Sequence, residues 1–192
     1  LRRDWPVALR LGCAARSLRR ESTGVVLGSD AGEEHFDQVV LACHSDQALA
    51  LLLDPSERER EILGALRYQE NDTVLHTDAS LLPRDRKAWA AWNAHLPADP
   101  TQACTVSYCM NILQGMQSPE PFIVSLNQRG RIDPAKILAV MHYQHPVYSH
   151  EMIRAQRRRH EINGHNRSWF CGAYWGFGFH EDGFRSGHEV AQ

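Results

Sequence analysis

The residues best suited to chemistry lie near the end of the sequence, in the stretch Cys171–Gln192. An apolar run over Trp169–Ala173 predicts a short strand, and a turn-rich segment with the acids Glu181 and Asp182 follows it. A helical pattern begins at Gly183, so the acids fall where they complement the positive end of a helix dipole. A strand, a loop, two acids, a glycine and a helix in this order present unpaired backbone N–H groups to an electron-rich ligand.

This stretch resembles the C-terminal flavin-binding motif of FAD-dependent oxidoreductases of the amine oxidase type. In that motif a strand ends in G-E or G-D, and a later G-A-x-x-S-G opens the last helix. Gly183–Gly187, reading G-F-R-S-G, matches the second half, and Ala191 closes it. The sequence of Phe170–Gly183, F-C-G-A-Y-W-G-F-G-F-H-E-D-G, is more similar still to a bacterial subgroup of predicted NAD/FAD-binding proteins, often found beside cyclopropane fatty acid synthase-type methyltransferases. Phe36–Leu49 resembles the strand that returns to the FAD domain in such enzymes.

One motif of such flavoproteins does not occur in the sequence. They carry an N-terminal G-x-G-x-x-G between a strand and a helix, which receives the FAD pyrophosphate, with an acid about 20 residues later for the ribose. The nearest sequence, Gly176-Phe177-Gly178, lacks the third glycine and lies at the other end of the chain. Because the chain also begins at Leu1, inside what reads as a β-rich region, we expect the C-terminal part of a longer protein.

The resemblance implies a fold class as well as a cofactor. The expected fold is α/β, with an α+β substrate domain inserted in a partial FAD/NAD(P)-binding domain of the Rossmann type. Residues 1–45 would form the β-meander and return strand of the FAD-binding domain. Residues 46–165 would form a substrate domain with a mixed sheet and helices, and residues 166–192 the C-terminal FAD-binding segment. The implied cofactor is FAD.

The flavin contact implied by the resemblance comprises six residues: Gly172, Ala173, Glu181, Asp182, Gly183 and Phe184. In such enzymes backbone N–H groups at a helix start stabilise negative charge at the N1–O2 edge of the flavin ring. Gly183 and Phe184 occupy that place, and we expect the Phe184 ring to pack inward with Gly187 and Val190 on one buried face.

The ribityl contact of the family departs from its usual pattern here. The acid that bonds the ribityl chain follows a glycine at the strand end, but Gly172 is followed by Ala173. Glu181 and Asp182 either replace that acid or cap the helix. His180 is the one acid/base candidate in the segment, and its catalytic role stays unassigned. Four aromatic residues either wall a substrate pocket or pack on a domain interface: Tyr174, Trp175, Phe177 and Phe179.

The first third of the chain predicts a sheet followed by two helices. Val7–Arg10 and Ala15–Arg19 read as short strands, and Phe36–Ala42 reads as one buried strand. Ser56 and Glu59 form a capping box at the start of the second helix. In that helix the charge run, including Glu59, is expected to face water, whereas the apolar stripe is buried: Ile62, Leu63 and Leu66.

The middle of the chain predicts a mixed or antiparallel sheet. Alternation over Tyr68–Thr77 indicates a strand, and we interpret His76 on it as structural rather than catalytic. Thr101–Leu113 alternates strongly and predicts one long strand. Ser149 can cap a helix that runs to about His160, whose arginines we interpret as a solvated face.

Composition excludes several classes of protein. With 192 residues, 43% of them hydrophobic, the chain can bury a core. A formal net charge of −2 argues against nucleic-acid binding, because the long-range attraction to phosphate is missing. No run approaches the ~18 apolar residues of a transmembrane helix, and Leu1–Leu11 is too charged for a signal peptide, so we expect a cytoplasmic protein. Five cysteines without a C-x-x-C pair indicate reduced thiols.

Metal binding is an alternative because the chain has 11 histidines. His160-Glu161-x-x-x-His165 is one residue longer than the zincin motif, in which both histidines share a helix face. The extra residue turns the second histidine by about 100°. We therefore expect no metal site, and no G-x-S-x-G or activated cysteine indicates nucleophilic catalysis.

These patterns predict the C-terminal portion of an FAD-dependent, amine oxidase-like oxidoreductase, which transfers a hydride from an organic substrate to the flavin. The resembling subgroup indicates a small-molecule or lipid-linked substrate. Two alternatives from other classes stay open: a non-catalytic structural or interaction module that binds no flavin, and a metal-dependent hydrolase. Neither the catalytic base nor the oligomeric state follows from the sequence.

Overall fold

The structure is a computed structural model that describes residues 7–99 and 104–192. It has the predicted α/β fold class, with open sheets. The strands are β1 (Ala15–Arg20), β2 (Val25–Ser29), β3 (Gly32–Phe36), β4 (Val39–Leu41), β5 (Tyr68–His76), β6 (Trp92–His95), β7 (Thr105–Cys109), β8 (Ile123–Leu126), β9 (Ile137–Pro146) and β10 (Ser168–Phe170). The helices are α1 (Ser45–Leu51), α2 (Glu57–Gly64), α3 (Met110–Leu113), α4 (His150–Arg157) and α5 (His180–Val190). Among the described residues, no helix has the length and apolar composition needed to cross a membrane.

The chain divides into two compact units. Unit 1 consists of Leu1–Tyr68 and Pro146–Gln192, and unit 2 consists of Gln69–His145. The assignment of a flavin domain and a substrate domain, with the boundaries expected from the sequence, stays a prediction.

Unit 1 holds the larger apolar core. Strands β1, β2 and β3 form an antiparallel sheet, while β4 and β10 form a separate parallel pair. The stripe predicted on α2 is confirmed, since Ile62, Leu63 and Leu66 are fully buried. They pack with residues from both parts of the unit: Leu18, Val25, Leu41, Met152, Ile162 and Phe170. Side chains that are far apart in the sequence therefore share one apolar core in unit 1.

A buried ion pair accompanies this core and corrects one expectation. Glu59 does not face water: it is 1% exposed, and the Arg20 side chain on β1 is 5% exposed. The Arg20 guanidinium donates to both carboxylate oxygens of Glu59, at 2.5 and 3.0 Å, and also contacts Asp54. The capping box itself is confirmed, because Ser56 N–H and Oγ–H donate to Glu59 while Glu59 N–H donates to Ser56 Oγ.

The two edges of the parallel pair differ. On the outer edge of β10 the Asn163 side chain accepts from Phe170 N–H at 2.8 Å and donates to Phe170 C=O at 3.2 Å. An asparagine amide thus takes the place of a neighbouring strand. Within the described part of the chain β4 pairs with β10 alone, and Val40, at the centre of β4, is exposed.

Unit 2 contains a five-stranded sheet in the order β6-β7-β8-β5-β9. One face carries a buried polar row across three strands. His76 Nδ1 accepts from Asp78 N–H at 3.1 Å, and the ring is fully buried, so Nε2 carries the hydrogen and donates to Ser125 Oγ at 2.9 Å. Ser125 contacts Ser107 Oγ at 2.7 Å, and Gln128 donates to the same oxygen. The burial and hydrogen bonding of His76 support its structural interpretation.

Several predicted boundaries were wrong for identifiable reasons. The strand expected over Thr101–Leu113 has residues 101–103 outside the described part, and β7 ends at Cys109 because the Asn111 side chain then pairs with the backbone of Phe122 and Glu120. The single strand expected over Phe36–Ala42 is two strands, since β3 pairs with β2 whereas β4 pairs with β10.

Two further boundaries lie in unit 1. Val7–Arg10 is not a strand. These residues are exposed, and their backbone joins no sheet in the described ranges. Helix α4 ends at Arg157 and is followed by a single 3-10 turn over Arg159–Glu161 rather than continuing to His160.

Candidate functional site

The candidate site lies where β10 leads into α5. After Gly172 the chain makes a 3-10 turn over Ala173–Trp175, passes through a glycine-containing loop, and enters α5 at His180. The helix therefore begins three residues before Gly183, where the sequence pattern had placed its start. Both acids, Glu181 and Asp182, consequently lie in the first helical turn.

The Asp182 side chain orders the start of α5 by hydrogen bonding to the loop before it. Its Oδ2 accepts from the backbone N–H groups of Phe177 at 2.9 Å and Phe179 at 3.1 Å, and its Oδ1 accepts from Arg185 at 2.6 Å. The side chain is buried against Gly176, where a Cβ would lie 2.3 Å from Oδ1. Glycine is therefore required at position 176 by the close approach of this carboxylate. Of the two roles left open for Asp182, the capping role is the one observed.

Ser186 ties the helix to the end of the strand. Its Oγ accepts from Gly172 N–H at 2.8 Å and lies within hydrogen-bonding distance of Gly172 C=O and Gly183 C=O, at 3.1 and 3.0 Å. Gly183 packs on Ala173, with 3.7 Å between an added Cβ and Ala173 N. Four of the predicted residues, Gly172, Ala173, Asp182 and Gly183, are thus brought together at one strand–helix junction.

The other two predicted residues, Glu181 and Phe184, are exposed. The Phe184 ring is 70% exposed, so the expected inward packing is wrong. With the helix starting at His180, the inner face carries Asp182 and Ser186, which are four residues apart, and Phe184 falls between them on the outer side. The predicted buried face was therefore out of phase with the helix.

The outer side of the junction presents donors and aromatic rings. No acceptor among the described residues takes the N–H groups of His180 and Glu181, which are the first two of α5. Beside them Phe177 is 77% exposed and Phe179 is 56% exposed. The arrangement offers hydrogen-bond donors at the positive end of a helix dipole, next to exposed aromatic rings.

Tyr148 is a neighbour of this site that the sequence analysis missed. Its Oη lies 2.7 Å from the position that a Cβ on Gly178 would take, and Gly178 has φ +85°. Burial raises the pKa of Tyr148, and the negative charge of Asp182 raises it further. No sequence signal could have found Tyr148, because it precedes α4 and has no motif around it.

Removing the Asp182 carboxylate tests the closure of the helix start. We expect Asp182→Ala to lower the free energy of unfolding by about 1–2 kcal/mol, because two backbone donors and Arg185 lose their acceptor. Glu181→Ala is the matched control, since its side chain is exposed, and should change the free energy by less than ~0.5 kcal/mol. Denaturant unfolding of both variants measures the difference, and equal values would show that Asp182 does not close the helix.

Two other features of the sequence are the candidate metal ligands and the cysteines. Among residues 7–99 and 104–192, no three side chains of His, Cys, Asp or Glu are grouped so that they could hold a metal ion. The thiols of Cys43 and Cys171 are partly or fully buried, and burial raises the pKa of both.

Comparison with known proteins places the fold. No protein-family model and no curated protein matches the chain. It is similar to the solved structure of cyclohexylamine oxidase from Brevibacterium oxydans IH-35A, with 12% identity and a TM-score of 0.59. The CLA-producing fatty acid isomerase from P. acnes gives the same two values, and putrescine oxidase bound to putrescine gives 9% and 0.53.

These matches cover a larger fraction of this chain than of the compared chains. They cover 93% of this chain, or 94% for putrescine oxidase, but only 47% to 49% of the other chains. The chain thus spans about half the length of the structures it resembles. At these identities the likeness concerns the fold, and it confirms the predicted resemblance to amine oxidases at that level. The comparisons give no support to an association with cyclopropane fatty acid synthases.

Proposed function

We propose that this chain is part of an FAD-dependent oxidoreductase of the amine oxidase type. It would supply the contact to the flavin ring at the start of α5 and the substrate domain. The observation that carries the proposal is the pair of unpaired N–H groups at His180 and Glu181, presented beside a tightly packed strand–helix junction. The amine oxidase fold found for two of the compared structures supports it.

The chemistry of this donor set fits a flavin ring. The N1–O2 edge of the ring accepts hydrogen bonds and gains negative charge on reduction, so backbone N–H groups at a helix start suit it. Phe177 and Phe179 lie beside these donors with their rings exposed, and can pack against a flat aromatic ligand. Phe184 is exposed on the first turns of α5 and can do the same.

Each predicted residue can then be given a role. His180 and Glu181 would donate backbone N–H groups, and the exposed carboxylate of Glu181 is the remaining candidate for the ribityl contact. Asp182 is already engaged, so it would order the first turn. Gly172, Ala173 and Gly183 would keep the strand end close to the helix, while Phe184 would cover the ligand. FAD, when bound, would supply the hydride acceptor, and no residue of this chain is assigned as a catalytic base.

The proposed substrate is a small organic or lipid-linked compound. The compared proteins are named cyclohexylamine oxidase, putrescine oxidase and fatty acid isomerase, and these names favour an organic substrate. A cytoplasmic location and an association with cyclopropane fatty acid synthase-type enzymes stay predictions from the sequence.

Replacing Gly183 by aspartate tests the proposed flavin contact. We expect Gly183→Asp to weaken FAD binding at least about tenfold, or ~1.4 kcal/mol, because its side chain enters the contact between Gly183 and Ala173 and adds negative charge near the start of α5. The helix itself should tolerate an acid in its first turns. FAD is titrated into the purified chain, and bound flavin is followed by its absorbance and by quenching of its fluorescence.

Gly187→Asp is the matched control, because a Cβ there meets no atom within 4 Å and the position is one turn further along α5. It should leave FAD binding unchanged. Equal loss in both variants would contradict the assigned location of the contact. A wild-type chain that binds no FAD would fit an incomplete flavoenzyme as well as a module that has the fold without the cofactor, because the chain lacks the G-x-G-x-x-G motif that receives the pyrophosphate. Repeating the titration with a longer protein that carries this motif separates the two, and absence of FAD binding there would contradict the proposal.

A further inference from the structure

The loop between β10 and α5 is held from two sides. On one side Asp182 accepts from the N–H groups of Phe177 and Phe179. On the other side Gln156, on α4, donates from Nε2 to the carbonyl oxygens of Tyr174 at 2.8 Å and Gly176 at 2.7 Å. The donors and the acceptors of one short loop are therefore each fixed by a single side chain.

The Gln156 amide is well suited to this contact. A primary amide nitrogen carries two hydrogens, and here each one is directed at a different carbonyl oxygen. Both partners are acceptors, so only one orientation of the amide satisfies them. A glutamate of the same shape has no hydrogen to donate when it is ionised.

The element that carries Gln156 is itself firmly packed. Met152 and Ala155, on the same face of α4, are buried in the core of unit 1. Ser149 caps the helix by accepting from Met152 N–H at 3.1 Å. The position of the Gln156 amide is therefore set by the core, and the loop takes its shape from α4.

We propose that Gln156 is a positioning residue for the candidate flavin site, an inference that rests on the proposed function. By fixing Tyr174 and Gly176 it sets where Phe177, Phe179 and the first N–H groups of α5 stand. Its role is indirect, because its side-chain amide donates to backbone carbonyl oxygens of the loop.

Gln156→Glu tests the proposal, with FAD titrations at about pH 8 and about pH 5, because partial burial and two facing carbonyl oxygens raise the pKa of a glutamate at this position above its ordinary value of about 4.3. At the higher pH the carboxylate faces two carbonyl oxygens, so FAD binding should fall at least about tenfold. At the lower pH the protonated acid can donate one hydrogen bond, and binding should partly recover. A merely structural role would not produce this pH-dependent recovery.

Gln38→Glu is the matched control. It introduces the same charge but keeps the oxygen that accepts from Trp169 Nε1, so FAD binding should follow the wild type at both pH values. Gln156→Ala, which removes both donors without adding charge, should bind FAD weakly at both. Wild-type affinity in Gln156→Glu at the higher pH would overturn the inference while the proposed function stood.

A second readout does not depend on flavin. Amide hydrogen exchange at Phe177 and Phe179 should be faster in Gln156→Glu than in the wild type or in Gln38→Glu. If a longer protein that carries the G-x-G-x-x-G motif bound no FAD, the proposed function would fail, but faster exchange would still support the ordering of the loop by Gln156. Unchanged exchange would overturn that ordering role as well.

Discussion

Replacing Glu59 by alanine is expected to lower the free energy of unfolding by about 3 kcal/mol, near the lower end of the range for breaking a buried ion pair. The change leaves the buried Arg20 guanidinium without its bidentate partner, while Asp54 still holds its other side. It also removes the acceptor of Ser56 N–H at the start of α2. Stability is lost chiefly because the buried charge of Arg20 is left uncompensated, rather than because its attraction to Glu59 is removed.

Chemical denaturation of three variants measures this effect. Glu57→Ala removes an exposed acid from the same helical turn and should cost less than ~0.5 kcal/mol. The double variant Arg20→Met, Glu59→Leu should recover much of the stability, because it leaves no buried charge unpaired and the carboxylate of Asp54 is exposed to water. A double variant less stable than Glu59→Ala would contradict this account.

Acidification below about pH 6.5, the ordinary pKa of histidine, is expected to destabilise unit 2 through His76. Burial lowers the pKa of His76, and the nearby negative charge of Asp78 only partly opposes this. The unfolded chain therefore takes up a proton at a pH where the folded chain does not. Stability is fully present above the unfolded pKa and is lost as pH falls, with a slope of up to about 1.4 kcal/mol per pH unit until the folded pKa is reached.

A second loss follows at lower pH. Burial alone would raise the pKa of Asp78, but N–H groups of Asp133 and Ser80 and the ammonium of Lys136 lower it to about 2. Its contribution to stability is present above its unfolded pKa of about 3.9 and is lost as pH falls towards the folded value. The loss of stability through His76 begins near pH 6.5 and the loss through Asp78 begins near pH 3.9, so the two effects can be measured separately.

Denaturant unfolding across this pH range distinguishes the two groups. His76→Gln, which does not titrate, should be less stable at neutral pH but should lose the dependence that begins near pH 6.5. His95→Gln changes an exposed histidine in the same unit and should keep that dependence. If His76→Gln kept the wild-type pH dependence, the effect would belong to another group.

Local patterns in the sequence were enough for several elements. The apolar spacing of Ile62, Leu63 and Leu66 and the Ser56–Glu59 capping box identified α2, because both depend on residues within two turns. The alternation over Tyr68–Thr77 identified β5. The tail predicted a strand over Trp169–Ala173 and a helix from Gly183, and both elements were found with shifted bounds, at Ser168–Phe170 and from His180.

Contacts between distant segments could not be read from the sequence. The charge run of α2 suggested an exposed Glu59, but its partner Arg20 lies on a strand 39 residues earlier, and only tertiary packing brings them together. Phe184 was placed inward because the helix was started at Gly183. Helix α5 starts at His180 because the Asp182 carboxylate accepts from the N–H groups of Phe177 and Phe179. The shape of the loop that carries these groups could not be predicted from the sequence. Gln156 and Tyr148 reach the site for the same tertiary reason.

The two edges of the β4–β10 pair differ in whether a further strand can pair with them. The Asn163 amide occupies the backbone groups of Phe170, so no strand can be added beside β10 without displacing it. On the outer edge of β4 the backbone of Val40 pairs with no further strand among residues 7–99 and 104–192, and its apolar side chain is exposed. Any polypeptide segment that extends this sheet, whatever its origin, must therefore attach at β4, and a charged residue at position 40 would discourage it.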